Sequence, residues 1–247
     1  MKLGIMQPYF FPYLGYFQLI RSVDSWVVFD VVQYMRHHWI NRNRILHPNH
    51  GWQYIVVPLA SHPRDALIKD MSIASQPWRE KILAQFTHYK KKAPYYQKTI
   101  EFLKYCLFDV AESQTSLALM NHALLNETCR YLSVPYHATI CSELGLDFSQ
   151  IKKPGEWALA ISQQLGADEY INPISGADIF EANEFINAKI KLTFIDPHLK
   201  EYLQSDYDCH TGLSIIDILM WNSLDEVKLM LKEYDLVSMG AGNERLA

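Results

Sequence analysis

Short apolar runs open the chain, with a stretch of helical periodicity between them. Residues 3–6 and 26–29 are apolar runs of strand length, while Leu14, Phe17, Leu19, Ile20 and Val23 recur at helical spacing. Strand, helix and strand within about thirty residues predict a βαβ unit, parallel and right-handed. This arrangement puts Gln7 and Asp30 at the carboxyl ends of two parallel strands, where open α/β sheets bind their ligands.

A polar arm follows over residues 35–51, then a β-branched strand over 53–59 closed by Pro58, then a loop over 60–70. Three helices are predicted next. The first starts near Pro77 and shows Trp78, Ile82, Phe86 and Tyr89 on one face, with Lys90, Lys91 and Lys92 at its end, where cations suit the helix dipole. The second follows Pro94 and carries Tyr96, Ile100, Leu103 and Leu107. The third, capped by Ser113 or Ser116, carries Leu117, Met120, Leu124 and Leu132. Alternation then resumes: strand 136–141, helix 155–165 with Gly166 at its C′ position, strand 169–171, helix 177–186 and strand 190–195. Two final helices begin at Ser214-Ile215-Ile216-Asp217 and Ser223-Leu224-Asp225-Glu226, which have the spacing of capping boxes. The expected fold is α/β, a mainly parallel Rossmann-like sheet with an inserted helical subdomain. Its parts are an N-terminal half (1–75) with the arm, a helical insertion (76–135), a C-terminal half (136–237) and a flexible tail (238–247).

Composition narrows the class. The 247 residues are 49% hydrophobic and 20% charged, with a formal net charge of −4, which argues against a general nucleic-acid or membrane-surface binder. Aromatic residues make up 13% and several fall in loop-like stretches, as in a wet aromatic cleft. Cys106, Cys129, Cys141 and Cys209 are scattered without CxxC spacing, as reduced thiols are. The chain enters its first strand directly and holds no run long enough to span a bilayer, so a soluble, cytoplasmic protein is expected.

The arm carries the chemistry. From Val31 to Arg64 there is no Asp or Glu, but there are Arg36, Arg42, Arg44, Arg64 and five histidines, His37, His38, His47, His50 and His62. Planar guanidinium groups match carboxylate or phosphate oxygens two at a time, and Asn41 and Asn43 interleave amides suited to sugar hydroxyls. A solvated basic loop explains the same composition, although Tyr34, Trp39 and Trp52 favour a ligand groove. Adjacent His37 and His38 point to opposite faces of an extended segment, and no metal-binding spacing occurs, so no metal site is expected. P-loop, dinucleotide and hydrolase-elbow motifs are absent. A turn at residues 172–178, with Ser175-Gly176, offers N–H groups to an anion or simply caps a helix.

Taken together, these blocks resemble the WbqC-like family. The residues that carry the resemblance are Gln7-Pro8 through Leu14-Gly15-Tyr16-Phe17, Asp30 with Gln33-Tyr34, Trp39 with Asn41-Arg42-Asn43-Arg44-Ile45, Gly166-Ala167-Asp168, Ser175-Gly176, Tyr202 with Gln204, and Leu213 to Asp217. They run in family order along nearly the whole chain. The resemblance implies a bacterial protein of O-antigen or other surface-polysaccharide (lipopolysaccharide) biosynthesis. It also implies glycine (aminoacyl) transfer to an amino sugar or nucleotide sugar, with ATP or an aminoacyl donor as co-reactant. Under that implication Asp30, Gln7 and Arg42 are catalytic. Gln33, Tyr34, Trp39, Asn41, Asn43, Arg44, Ser175, Gly176, Tyr202 and Gln204 bind substrate or cofactor. Asp30 would serve as general base. This chain departs from the family pattern at Val31, where a second acidic residue is common, and at His37-His38. Two alternatives stay open: a nucleotidyltransferase or adenylate-forming enzyme, whose opening topology is similar, and a non-catalytic sugar-nucleotide or glycan-binding protein.

Overall fold

The structure, a computed structural model, describes residues 1–238. Six strands form the main sheet: β1 (Lys2–Met6), β2 (Ser25–Val28), β5 (Ala138–Ile140), β6 (Glu169–Pro173), β7 (Lys191–Pro197) and β8 (Tyr234–Ser238). Two more, β3 (Arg42–Leu46) and β4 (Trp52–Val56), make a separate antiparallel hairpin. The main sheet runs β5-β2-β1-β6-β7-β8, parallel except where β8 pairs antiparallel with β7. From β1 the chain builds outward through β2 and β5, then returns to β1's other side and builds outward through β6 and β7. Strand order therefore reverses between β1 and β6, as in doubly wound α/β sheets.

Alternation along the strands sorts two cores. Leu3, Ile5, Val27, Leu192 and Phe194 face α5 (Glu156–Gln164) and α6 (Ala182–Asn187). Trp26, Val28, Ile171 and Ile195 face the opposite way, into a larger core with α1 (Leu14–Ser22). The helices between β4 and β5 are α2 (Arg79–Gln85), α3 (Tyr96–Tyr105) and α4 (Leu117–Leu132), and their apolar faces join that larger core. So do α7 (Ile215–Trp221) and α8 (Leu224–Met230). Ser116 accepts from the Leu119 N–H and so caps α4, and Gly166 takes φ 66° after α5, both as expected.

Several elements differ from expectation. The arm is not all loop: Arg42–Leu46 pairs with Trp52–Val56. The first predicted helix of the insertion splits into α2 and a 3₁₀ stretch, Thr87–Lys91. The helix predicted over 177–186 divides into a 3₁₀ turn, Ile174–Ile179, and α6, broken where Phe180 turns its ring into the core. Ser223 and Glu226 form a true capping box, whereas Asp217 is a buried hydrogen-bond hub instead of a box partner. The predicted tail begins with Ser238, the last residue of β8; the remainder of that segment, 239–247, lies outside the described residues. Among the described residues, no helix is long and apolar enough to cross a membrane.

Candidate functional site

A cleft of about 290 Å³ opens at the carboxyl edge of the sheet, at the reversal between β1 and β6. Met6 and Gln7 reach it from β1, and Tyr170 and Asn172 from β6. Phe29 comes from the end of β2, Trp157 from the first turn of α5, and Phe180 from the turn after β6. Tyr9 and His38, from the two sequence blocks, complete its mouth. The lining contains no Asp, Glu, Lys or Arg. It is a neutral, ring-rich cavity with two amides and one imidazole, the composition expected where a sugar or base is bound by stacking and hydrogen bonds.

The two amides are placed differently. Gln7 is half-buried, and among the described residues its side chain makes no hydrogen bond, although its backbone carbonyl accepts from the Tyr16 hydroxyl at 2.8 Å. Asn172 Oδ1 accepts from the Tyr170 hydroxyl at 2.8 Å, and its Nδ2 donates to the Pro173 carbonyl at 2.9 Å, which leaves one N–H unpaired. Gly176 lies close beside it: a Cβ there would sit 2.6 Å from Asn172 Nδ2 and displace that amide. Ser175, next to it, is exposed. Gly155 lets the start of α5 approach the same wall: a Cβ would sit 2.0 Å from the Ile179 carbonyl oxygen. Burial pushes the Tyr9 hydroxyl up to about 12 and raises that of Tyr170, so both stay protonated at neutral pH, and the Tyr170 hydroxyl donates to Asn172.

The Asn-Arg-Asn-Arg block divides by strand periodicity. Arg42 and Arg44 lie on the outer face of the hairpin with Tyr54 and Trp52, while Asn43 and Ile45 point inward. Asn43 Nδ2 donates to the carbonyls of Phe10 and Phe11, at 3.0 and 2.9 Å. Phe11 is a buried non-glycine residue at φ 40°, and its carbonyl also takes the Ser214 hydroxyl, so two side chains hold a strained turn. Asn41 donates to the Val57 carbonyl and accepts from the Tyr34 hydroxyl. Asn121 of α4 ties both blocks together, donating to the Pro8 and Ile40 carbonyls. Outside, the Arg42 guanidinium lies over the Tyr54 ring at 4.0 Å and donates to the His37 carbonyl. The Arg44 guanidinium sits 5.0 Å from both the Trp39 and Trp52 rings.

The remaining candidates are dispersed. Asp30 is 2% exposed, and the backbone N–H and hydroxyl of Ser142 donate to its two oxygens, at 2.9 and 2.6 Å. It does not line the cleft. Gln33 is exposed and donates to the Arg64 carbonyl. Gln204 closes its own loop through two hydrogen bonds with the His210 backbone. Tyr202 and Tyr89 both donate to Asp217, whose carboxyl burial pushes up to about 6 despite those bonds. The structure thus brings Gln7 to the cleft, Arg42, Arg44 and Trp39 to the adjoining hairpin face, and Ser175-Gly176 to the cleft's edge. Asn43, Gln204 and Tyr202 are committed to the fold. His38, Asn172, Tyr9, Phe29 and Trp157 were not selected from sequence. Asn172 had a usable signal, because it stands at a strand's carboxyl end as Gln7 does.

The model of the WbqC-like protein family matches residues 7–229, from Gln7 at the cleft to α8. The chain belongs to the WbqC-like family. Among curated proteins, this WbqC-like chain is 28% identical over 225 residues to the uncharacterized protein Rv1507c of Mycobacterium tuberculosis, across 88% of this chain and 92% of that one. No solved structure matches it.

Proposed function

We propose that this WbqC-like protein is a transferase that passes an aminoacyl group, glycyl in the simplest case, to the amino group of a sugar or nucleotide sugar. A surface-polysaccharide setting is what the family resemblance suggests for it. The observation that carries the reading is the free Gln7 amide, which together with Asn172 lines a neutral, ring-rich cleft at the strand reversal. Sugar hydroxyls pair with such amides, and C–H faces lie on rings such as Trp157. Attack by an amine on an activated acyl carbon needs a proton acceptor. His38 supplies the one imidazole of the lining, and an imidazole ring nitrogen can serve as a general base. Asp30, sealed by Ser142, acts as a positioning residue that fixes the end of β2 against the segment after β5.

The test is an acyl-transfer assay with glycine and ATP, or a glycyl-adenylate, against UDP- and dTDP-linked amino sugars, followed by mass spectrometry of the sugar. Addition of one glycyl residue is expected, reduced at least about tenfold in His38→Gln and in Asn172→Ala. A second reading, sugar-nucleotide binding without turnover, is favoured by the burial of Asp30's carboxylate. Binding with no product from any donor would establish it in place of transfer. Neither binding nor product would remove both.

A further inference from the structure

We propose that the outer face of the β3–β4 hairpin is a diphosphate subsite, and that the substrate reaches the cleft carried on a nucleoside diphosphate. The assignment rests on the acceptor reading above for the sugar it leaves in the cleft, while the anion subsite stands on the hairpin itself. Arg42 and Arg44, two residues apart on one strand, project from the same face about 6.6 Å apart along it. Both lie over rings, the Arg42 guanidinium 4.0 Å from the Tyr54 centroid and that of Arg44 5.0 Å from those of Trp39 and Trp52. A guanidinium held against a ring keeps N–H donors for an anion, and holding it ready lowers the entropy lost when the anion binds.

Neither arginine has a carboxylate partner among the described residues, and residues 31–64 contain none to offer. Protein contacts use few of their donors. Arg42 meets His37, and Arg44 reaches the Gly212 carbonyl at 3.4 Å, while Nε of each is buried without a partner. Unneutralised guanidinium charge held part-way into a protein is costly to keep, and an anion relieves it.

Two features select a diphosphate over a single phosphate. Two phosphoryl groups in series give each guanidinium its own, which a single phosphate cannot do. The face also joins the cleft: Arg42 holds His37, a non-glycine residue at φ 69°, and the next residue, His38, lines the cleft mouth. Beyond Arg44, Trp52 is 40% exposed and offers an indole on which a base can stack. Sugar, diphosphate and base thus follow one track from the cleft along the hairpin.

The test is calorimetric titration of the full chain with inorganic phosphate, inorganic pyrophosphate, UDP and geranyl diphosphate, with tryptophan fluorescence recorded in parallel. Pyrophosphate is expected to bind at least about tenfold tighter than phosphate, and UDP tighter again with a change in tryptophan emission. Arg42→Gln and Arg44→Gln should each weaken pyrophosphate at least about tenfold, and Asn172→Ala should leave it unchanged. The wild-type comparison of pyrophosphate with phosphate does not depend on any variant folding. Equal binding of the two anions overturns the proposal, as does binding unaffected by both arginine variants. Geranyl diphosphate binding tighter than UDP overturns the nucleoside assignment in favour of a lipid carrier. If amino sugars bind while pyrophosphate does not, the diphosphate subsite fails and the acceptor reading survives. If pyrophosphate binds as expected but no amino sugar does, the acceptor reading fails instead.

Discussion

Asp217 shows how one buried carboxylate can hold distant parts of the chain together. It accepts from Tyr89 after α2, from Tyr202 in the segment before α7, and from the Leu46 N–H of β3. Burial raises its pKa from 3.8 to about 6. The folded chain therefore binds this proton more tightly than the unfolded chain does. The stabilisation is fully present below about pH 4 and is lost as pH rises through 6, on the order of 3 kcal/mol in all. Urea midpoints of the wild type, measured against Asp217→Asn, should fall steadily from pH 4 to 7. A constant offset across that range would show that Asp217 does not titrate on folding. Gly155 gives a second expectation at this scale. With the Ile179 oxygen 2.0 Å from where a Cβ would go, Gly155→Ala must push α5 off the cleft wall. It should lower stability by about 1–3 kcal/mol and weaken any ligand of the cleft, as read by thermal melts with and without a UDP-amino sugar.

Among the elements, the hairpin depends most on single side chains. Asn43 serves two carbonyls of the Phe10-Phe11 turn. Replacing it with alanine leaves the Phe10 carbonyl buried and unpaired, at roughly 1–3 kcal/mol, while the Phe11 carbonyl keeps the Ser214 hydroxyl. Hydrogen exchange should show β3 and β4 opening in Asn43→Ala while β1 and β6 stay protected. Uniform loss of protection would mean that the hairpin has no stability of its own. The hairpin also marks the limit of legibility. Strands β1, β2, β6 and β7 were legible because buried parallel strands are apolar runs, and α1, α4 and α5 because of helical spacing, a serine cap and a C′ glycine. β3 was not, since Arg42-Asn43-Arg44 alternates polar with polar and only the register says which side is buried. β8 was missed because it is an edge strand with three of its five residues exposed, lacking an apolar run. The same ambiguity governed the site. An amide or a carboxylate in a rich motif looks the same whether its side chain is left free at a cleft, like Gln7, or bonds a carbonyl of its own fold, like Asn43 and Gln204. The strand-end rule, which does not depend on composition, selected Gln7, which lines the cleft, and Asp30, which Ser142 seals away from it.

Across the whole molecule, charge is divided as sharply as the fold is. Residues 31–104, from the arm through α3, hold twelve Lys and Arg against four Asp and Glu, in a chain that carries 23 against 27. The strongly positive segment thus contains the hairpin that adjoins the cleft, and α2 packs directly on β4, where Gln85 donates to the Tyr54 carbonyl. A field of this kind acts on encounter more than on the bound complex, because it draws anions from beyond contact distance and is screened by salt. The association rate of a UDP-amino sugar should therefore fall about tenfold between roughly 20 mM and 500 mM salt, with dissociation changing much less. Lys81→Glu with Lys104→Glu, on α2 and α3 and outside the cleft lining, should slow association in low salt and leave dissociation unaltered. Stopped-flow tryptophan fluorescence measures both rates. An association rate indifferent to salt and to these reversals would mean that the asymmetry serves some other anion, and that the ligand finds the cleft by diffusion alone.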